Sequence, residues 1–299
     1  MFVLADFSTA KQAFLSRQVT PDNRVQSFSD NYDSWTAQFP VEVAGVIADM
    51  VAHFDYYSHA DVNQMLQELH RQFHRLSSLN DCDALHIYLK KSDGHINSSS
   101  DYWHDYRLCN NIDPGFCADD VECISKAEWS QIQNIVVVDD CCGTGGSLED
   151  FINRSHQQFT DKTIYYLVLH SLCDADRKLK EIEETYNVKI VLIFINKRDK
   201  ATKQIAASES DIAMLRYVSS SLRIPDKYHL GFMNSEALMA FYNNTPNNTI
   251  GLFWLSTDVY HAPFPRKFQA TPSWRNGAAM KEAKKQRKAK NYIAEIQHG

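Results

Sequence analysis

The sequence predicts an α/β protein built on a parallel sheet with helices on both faces. The main observation is the run at residues 134–138, β-branched without a break from Ile135 to Val138, the pattern of a strand buried on both sides. Two further apolar runs, at 163–170 and 188–195, repeat it, and helix-period segments alternate with all three.

The elements follow in order. Residues 1 to about 38 are mixed and polar with weak periodicity, and read as an arm or as short helices packed on a core. From Ser58 the pattern sharpens. Val62, Leu66, Leu69, Phe73 and Leu76 form one stripe of an amphipathic helix. Residues 84–89 alternate as a strand, with Leu85, Ile87 and Leu89 on one face. A polar loop leads to a short helix at 102–109. After the 134–138 strand, residues 148–159 read as a helix opened by Ser147 as N-cap. Helices are expected again at 174–186 and 208–222. Residues 230–254 suggest a short helix around 235–241, then the turn-rich run 243–249, then the apolar run 250–255. No internal repeat is present.

Composition sets the class. The chain has 299 residues, 44% apolar and 23% charged, enough for a sizeable core. Its net charge of −6 gives no general argument for binding nucleic acid or an anionic membrane. Residues 281–290 are different: Lys281, Lys284, Lys285, Arg287, Lys288 and Lys290 face only Glu282, a local +5. That tail reads either as a solvated basic helix or as a nucleic-acid contact, and in the second case affinity falls steeply with salt. Seven cysteines, an odd number with no C-x-x-C pair and with Cys141 beside Cys142, argue against a disulfide framework or a cysteine zinc cage. No basic leader and no span of roughly 20 apolar residues is present, so a reduced, cytoplasmic protein is expected, with the sequons at Asn243 and Asn247 unused.

Chemistry concentrates at residues 134–152. A buried strand ends in Asp139 and Asp140, passes through the small-residue loop 141–147 and enters a helix. Ligands of open α/β sheets bind at the carboxyl ends of strands. Thr144, Gly145, Gly146 and Ser147 would offer backbone N–H groups and two hydroxyls to an anion at a helix N-terminus. Two carboxylates beside a phosphate cradle make sense if the ligand also carries paired hydroxyls, as a ribose does. The loop lacks the lysine of a Walker A site, and Leu148 stands where G-x-G-x-x-G needs its last glycine. The run Asn196, Lys197, Arg198, Asp199 imitates a guanine-reading motif but has no upstream P-loop. The plainer alternative for the loop itself is a tight glycine turn with ordinary capping.

This strand-acid-acid-loop pattern resembles the diphosphate-sugar motif of type I phosphoribosyltransferases. The matching positions are Val136 to Val138, Asp139, Asp140, Cys141, Cys142, Gly143, Thr144, Gly145, Gly146 and Ser147. The resemblance implies that Asp139 and Asp140, the catalytic pair, hold the ribose hydroxyls. It implies that Cys142, Gly143, Thr144, Gly145, Gly146 and Ser147 bind the 5′-phosphate. Cys141 and Cys142 fit small buried hydrophobes better than nucleophiles. A narrower resemblance, on residues 89–112 and 231–254, is to the phosphoribosyltransferase-like domain of bacterial conflict and defence systems, including retron operons that carry a reverse transcriptase. It covers about 45–265, leaving 1–44 as an N-terminal helical extension and 266–299 as a basic C-terminal tail.

That likeness makes Lys90, Lys91, Ser92 and Gly94 a diphosphate loop, with a solvated turn as the alternative. Ser99, Tyr106 and Arg107 would support it, and Asn247, Asn248 and Thr249 would line the pocket, although a self-capping turn explains the last three nearly as well. No equivalent of the family's base-reading hood is identifiable. Mg²⁺ is expected to arrive on substrate phosphates, not in a protein cage. The twelve histidines are scattered and none is nominated. Three functions follow: a transferase effector acting on a nucleotide, base or macromolecule with phosphoribosyl diphosphate as donor; a sensor that keeps the pocket without turnover; or a structural subunit of an oligomer or complex, with the tail gripping nucleic acid beside a reverse transcriptase.

Overall fold

The computed structural model describes residues 6–90, 98–154 and 156–266. The chain runs α1 (Phe7–Ser16), α2 (Asn23–Thr36), α3 (Val41–Ala52), β1 (Asp55–Tyr57), α4 (His59–Ser77), β2 (Leu85–Tyr88), α5 (Ser98–Cys109) and α6 (Lys126–Gln131). It continues through β3 (Asn134–Cys142), α7 (Gly146–Arg154), α8 (His156–Phe159), β4 (Thr163–Leu172), α9 (Ala175–Tyr186), β5 (Lys189–Arg198), α10 (Ala201–Gln204), α11 (Glu209–Ser221) and β6 (Met239–Phe241).

Strands β2, β3, β4 and β5 lie side by side in that order, all parallel, while β1 and β6 form a separate parallel pair. Each successive strand advances one step the same way, and α6, α7, α8 and α9 of the connections lie on one face. That face is filled by Trp129 of α6, Leu148 and Phe151 of α7, Phe159 of α8 and Ile182 of α9, against Ile135, Val137, Tyr166 and Val168. On the other face Leu66 and Phe73 of α4 and Tyr102 and Tyr106 of α5 pack on Val136, Val138 and Leu167, with Met239 and Phe241 of β6. A third core joins α1, α2, α3 and α11 to the C-terminal segment through Phe14, Phe28, Trp35, Val218, Phe253 and Phe264. The weakly periodic first 38 residues therefore contribute some of the largest buried rings. Among the described residues no helix is long and apolar enough to cross a membrane.

Capping explains several boundaries. Ser58 with Asp61, and Ser208 with Asp211, close capping boxes at α4 and α11. Other boundaries differ from expectation. β3 runs on through both acids to Cys142, and α5 begins at Ser98. Ser147 is not an N-cap: Gly145 turns the chain at φ +72°, and Gly146 already starts α7. The single helix expected at 148–159 is two, α7 and α8. The helix expected around 235–241 is instead strand β6, preceded by a 3-10 turn at Phe232–Asn234.

Candidate functional site

At the carboxyl end of β3 the chain leaves the sheet with two acids almost out of water: Asp139 is 5% exposed and Asp140 9%. In the ladder Asp139 pairs with Val168 and Cys141 with His170, and Asp140 falls between. The two carboxyls lie within hydrogen-bonding reach of each other, and both line one cavity. Asp139 turns to the α7 and α9 side, where Tyr166 donates its hydroxyl to Oδ2 at 2.9 Å and the Asp140 amide donates to Oδ1 at 3.0 Å. Burial, followed by the neighbouring Asp140 carboxylate, pushes the Asp139 carboxyl well above the usual range. Burial also raises Asp140, opposed by hydrogen bonding to Ser98 and by the charge of Arg266. Asp139 is thus braced at both oxygens by Tyr166 and the Asp140 amide, while Asp140 is held by Ser98 and faces Arg266.

The pair opens on a cavity of about 970 Å³. One wall is the turn into α7, where Gly143, Thr144, Gly146 and Ser147 face the space. The facing wall comes from residues 232–248, far away in sequence. Gly143 is what lets the walls meet: a Cβ there would lie 2.3 Å from the Asn248 amide nitrogen. Asn248 is clamped from behind as well, since its carbonyl accepts from Ser235 Oγ at 2.9 Å and from the Ala237 amide at 3.0 Å. Gly231, at φ +75°, leaves space for the same carbonyl, which a Cβ would approach to 2.1 Å. Phe232 and Met233 stand on this rim, 38% and 68% exposed, with Met233 and Asn234 in left-handed conformations.

Among the described residues six cations line the cavity: Lys90, Arg154, Arg177, Lys178, Lys200 and Arg266. Lys90 pairs with the buried Asp120 at 2.9 Å, Lys178 with Glu149 at 2.9 Å, and Lys200 with Asp174 at 3.1 Å. Arg154 donates to the Lys90 carbonyl and fixes the start of the segment after β2. Among the described residues the lining offers hard carboxylate oxygens and no imidazole. The thiol among them, Cys141, is held protonated by burial. Such a donor set suits Mg²⁺ that arrives already bound by phosphates.

The PRTase-CE family profile, PRTase being phosphoribosyltransferase, matches residues 32–266. The chain belongs to the PRTase-CE family. Its core is accordingly the type I phosphoribosyltransferase-like α/β sheet that the strand-acid-acid-loop pattern pointed to. Among solved structures the chain is similar to the Helicobacter pylori xanthine-guanine-hypoxanthine phosphoribosyltransferase. Identity is 16%, covering 48% of this chain and 84% of that one, with a TM-score of 0.33. It is also similar to a hypothetical protein from Neisseria gonorrhoeae with bound ppGpp. There identity is 10%, covering 56% of this chain and 98% of that one, with a TM-score of 0.30. No curated protein matches significantly.

Within this PRTase-CE domain the structure brings together Asp139, Asp140, Gly143, Thr144, Gly146, Ser147, Lys90, Asn247 and Asn248 around one cavity. Gly145 supplies the turn behind it, against Lys178. Four expectations differ. Cys142 points into the α7 and α9 core instead of the cavity, its thiol pushed up to about 12 by burial. Arg107 lies over the Trp103 ring at 5.9 Å, away from the cavity. Thr249 is fully buried and donates to the Met239 carbonyl, bracing β6. Tyr106 faces His70 instead of the loop. Ser99, by contrast, accepts from the Leu89 amide at 3.0 Å and donates to the Val138 carbonyl at 2.6 Å, tying the end of β2 to β3. Lys91, Ser92 and Gly94, and the basic run 281–290, lie outside the described residues. Sequence reasoning missed Ser98, Arg154, Arg177, Lys178, Lys200 and Arg266.

Proposed function

We propose that this PRTase-CE protein is a phosphoribosyltransferase that binds phosphoribosyl diphosphate, or a nucleotide of the same shape, with Mg²⁺. The observation that carries the reading is the buried acid pair at the end of β3, opening on a cavity with a glycine turn on one wall and cations around it. Asp140 accepts from the ribose hydroxyls, and Asp139, held by Tyr166, fixes its position. The turn from Gly143 to Ser147 takes the 5′-phosphate on its backbone amides. Lys90, Arg177 and Lys200 face the diphosphate. In transfer, an acceptor atom bonds to the anomeric carbon as the carbon–oxygen bond to diphosphate breaks, and the electron pair leaves with diphosphate through an oxocarbenium-like state. Mg²⁺ supplies charge neutralisation on that leaving group. The exposed Phe232 and Met233 offer an apolar wall to a planar acceptor.

A finer reading rests on the resemblance of residues 89–112 and 231–254: an effector in a bacterial anti-phage system, with a reverse transcriptase and nucleic acid as partners of the 266–299 tail. The alternative is a sensor that binds the same ligand without turnover. Calorimetric titration of phosphoribosyl diphosphate with Mg²⁺ into wild type and into Asp139→Asn/Asp140→Asn tests the reading. Binding is expected in the wild type and lost in the folded double variant. Equal binding by both removes the acids from the site, and no binding by folded wild type defeats the proposal.

A further inference from the structure

On the opposite side of the sheet from the turn into α7, four side chains converge that the proposed transfer does not use. His70 and His74 sit one turn apart on α4, Asp81 lies in the 3-10 turn after it, and His86 lies on β2. His70 Nε2 and His74 Nε2 are 2.9 Å apart. Asp81 Oδ1 lies 3.3 Å from His74 Nε2, 3.6 Å from His70 Nε2 and 3.9 Å from His86 Nε2. A tetrahedral zinc with bonds of about 2.1 Å sets its ligand atoms roughly 3.4 Å apart, so these separations bracket what a shared ion needs.

Hydrogen bonding points the same way. His74 Nδ1 faces the Leu79 carbonyl at 2.7 Å and must carry the proton there, which leaves a lone pair on Nε2 of the neutral ring. His70 Nδ1 is held by the Tyr106 hydroxyl at 2.8 Å. Both rings therefore have the outer partner that metal-bound histidines ordinarily have. Asp81 Oδ1 is buried and without a hydrogen-bond partner, and His86, 1% exposed, has none at either ring nitrogen. Orphaned buried polar atoms are rare and demand an explanation. Here three of them, on two residues, belong to the same small cluster, and His70, His74 and Asp81 present ligand atoms all within 4.8 Å of one another.

We infer that His70, His74 and Asp81, with His86 closing as the fourth ligand, form a binding site for a divalent transition metal, Zn²⁺ by donor type and geometry. The site is structural: it joins the end of α4, the turn at Asp81 and strand β2. Because β2 leads directly to Leu89 and Lys90 on the cavity, the metal holds that wall in place. It is independent of the Mg²⁺ carried on substrate.

The test uses the full chain, stripped with chelator and titrated with Zn²⁺ by calorimetry, alongside elemental analysis of the protein as purified. Wild type is expected to take up one equivalent. His74→Ala and Asp81→Asn are expected to weaken uptake at least about tenfold, and Tyr106→Phe, which removes only the outer partner of His70, about 10–100-fold. Co²⁺ loaded in place of Zn²⁺ should show the intense visible absorption of a tetrahedral centre in wild type and lose it in Asp81→Asn. His59→Ala, at a histidine outside the cluster, should bind as wild type does. His74 is 35% exposed, so its removal spares the core. Should that variant fail to fold, Asp81→Asn carries the same comparison. Folded wild type that takes up no Zn²⁺, or variants that bind as tightly as wild type, would overturn the site and leave a proton-sharing histidine pair in its place.

Discussion

Gly143→Ala probes the joint between the two walls of the cavity. The new Cβ would sit 2.3 Å from Asn248 Nδ2 and 2.7 Å from its Cγ, against the roughly 3.5 Å of ordinary contact. Something must therefore move by on the order of 1 Å. The Asn248 backbone will not, because its carbonyl is held by Ser235 and Ala237. The side chain must swing into the cavity it lines. Overpacking relieved by a side-chain end falls near the low edge of the usual range, about 1 kcal/mol. Gly231→Ala is the contrasting case. Its Cβ would meet the same carbonyl at 2.1 Å, and its φ of +75° is itself strained for alanine. Left-handed strain of about 1–2 kcal/mol adds to a clash that backbone cannot relieve, for a total of about 2–5 kcal/mol. Denaturant unfolding of Gly143→Ala, Asn248→Ala and the double variant closes a cycle in which removing the Asn248 side chain rescues the alanine, with a coupling of about 1 kcal/mol. Binding of phosphoribosyl diphosphate should drop in Gly143→Ala and stay low in the rescued double variant. No rescue, or a Gly143→Ala cost equal to that of Gly231→Ala, would refute the wedge.

Three other outcomes are expected. Tyr166→Phe strands one oxygen of the buried Asp139 and should cost about 1–3 kcal/mol in chemical denaturation, with weakened ligand binding. Tyr260→Phe removes the acceptor of the buried Trp35 indole N–H, 2.7 Å away, and should cost a similar amount, read by unfolding followed through tryptophan fluorescence. Burial lowers the His170 imidazole to about 4, so the folded state resists a proton that the unfolded chain binds below about 6.5. Stability from this group is present above that value and is lost as pH falls toward 4. His170→Gln should flatten the stability curve through that window, and an unchanged slope would remove His170 as the cause.

The acid pair and its loop were legible in the sequence because a strand buried on both faces reads as an unbroken apolar run, and acids at its end stand out. Strand β6 was not. Residues 237–241 are an apolar stretch too short for period to separate strand from helix, and the partner is a three-residue strand at 55–57 that only the tertiary fold brings close. Arg177, Lys178 and Lys200 follow the ends of β4 and β5, where the rule about carboxyl ends of parallel strands points, yet they resemble ordinary helix-surface charge. Arg107 and Thr249 failed for the opposite reason: proximity in sequence to plausible motifs does not fix which face a side chain takes. For the histidine cluster, His70 and His74 already show helical i, i+4 spacing. Asp81 and His86 come from a turn and the sheet edge, and only folding joins them.

The ion pairs around the cavity differ in how readily a phosphate can break them. Lys178 with Glu149 and Lys200 with Asp174 are solvent-accessible, and exposed pairs are worth only about 0–1 kcal/mol. An arriving diphosphate can take either lysine at little cost. Lys90 is different because its partner Asp120 is buried, and a buried carboxylate stripped of its cation is costly to leave alone. On the proposed reading Lys90 serves the ligand without leaving Asp120, with its carbonyl pinned by Arg154 and the end of β2 tied to β3 through Ser99. It follows that Lys90→Ala should lose stability as well as affinity, whereas Lys200→Ala should lose affinity alone. Asp120→Asn should restore the stability of Lys90→Ala without restoring binding, because it removes the buried charge and leaves the phosphate without its cation.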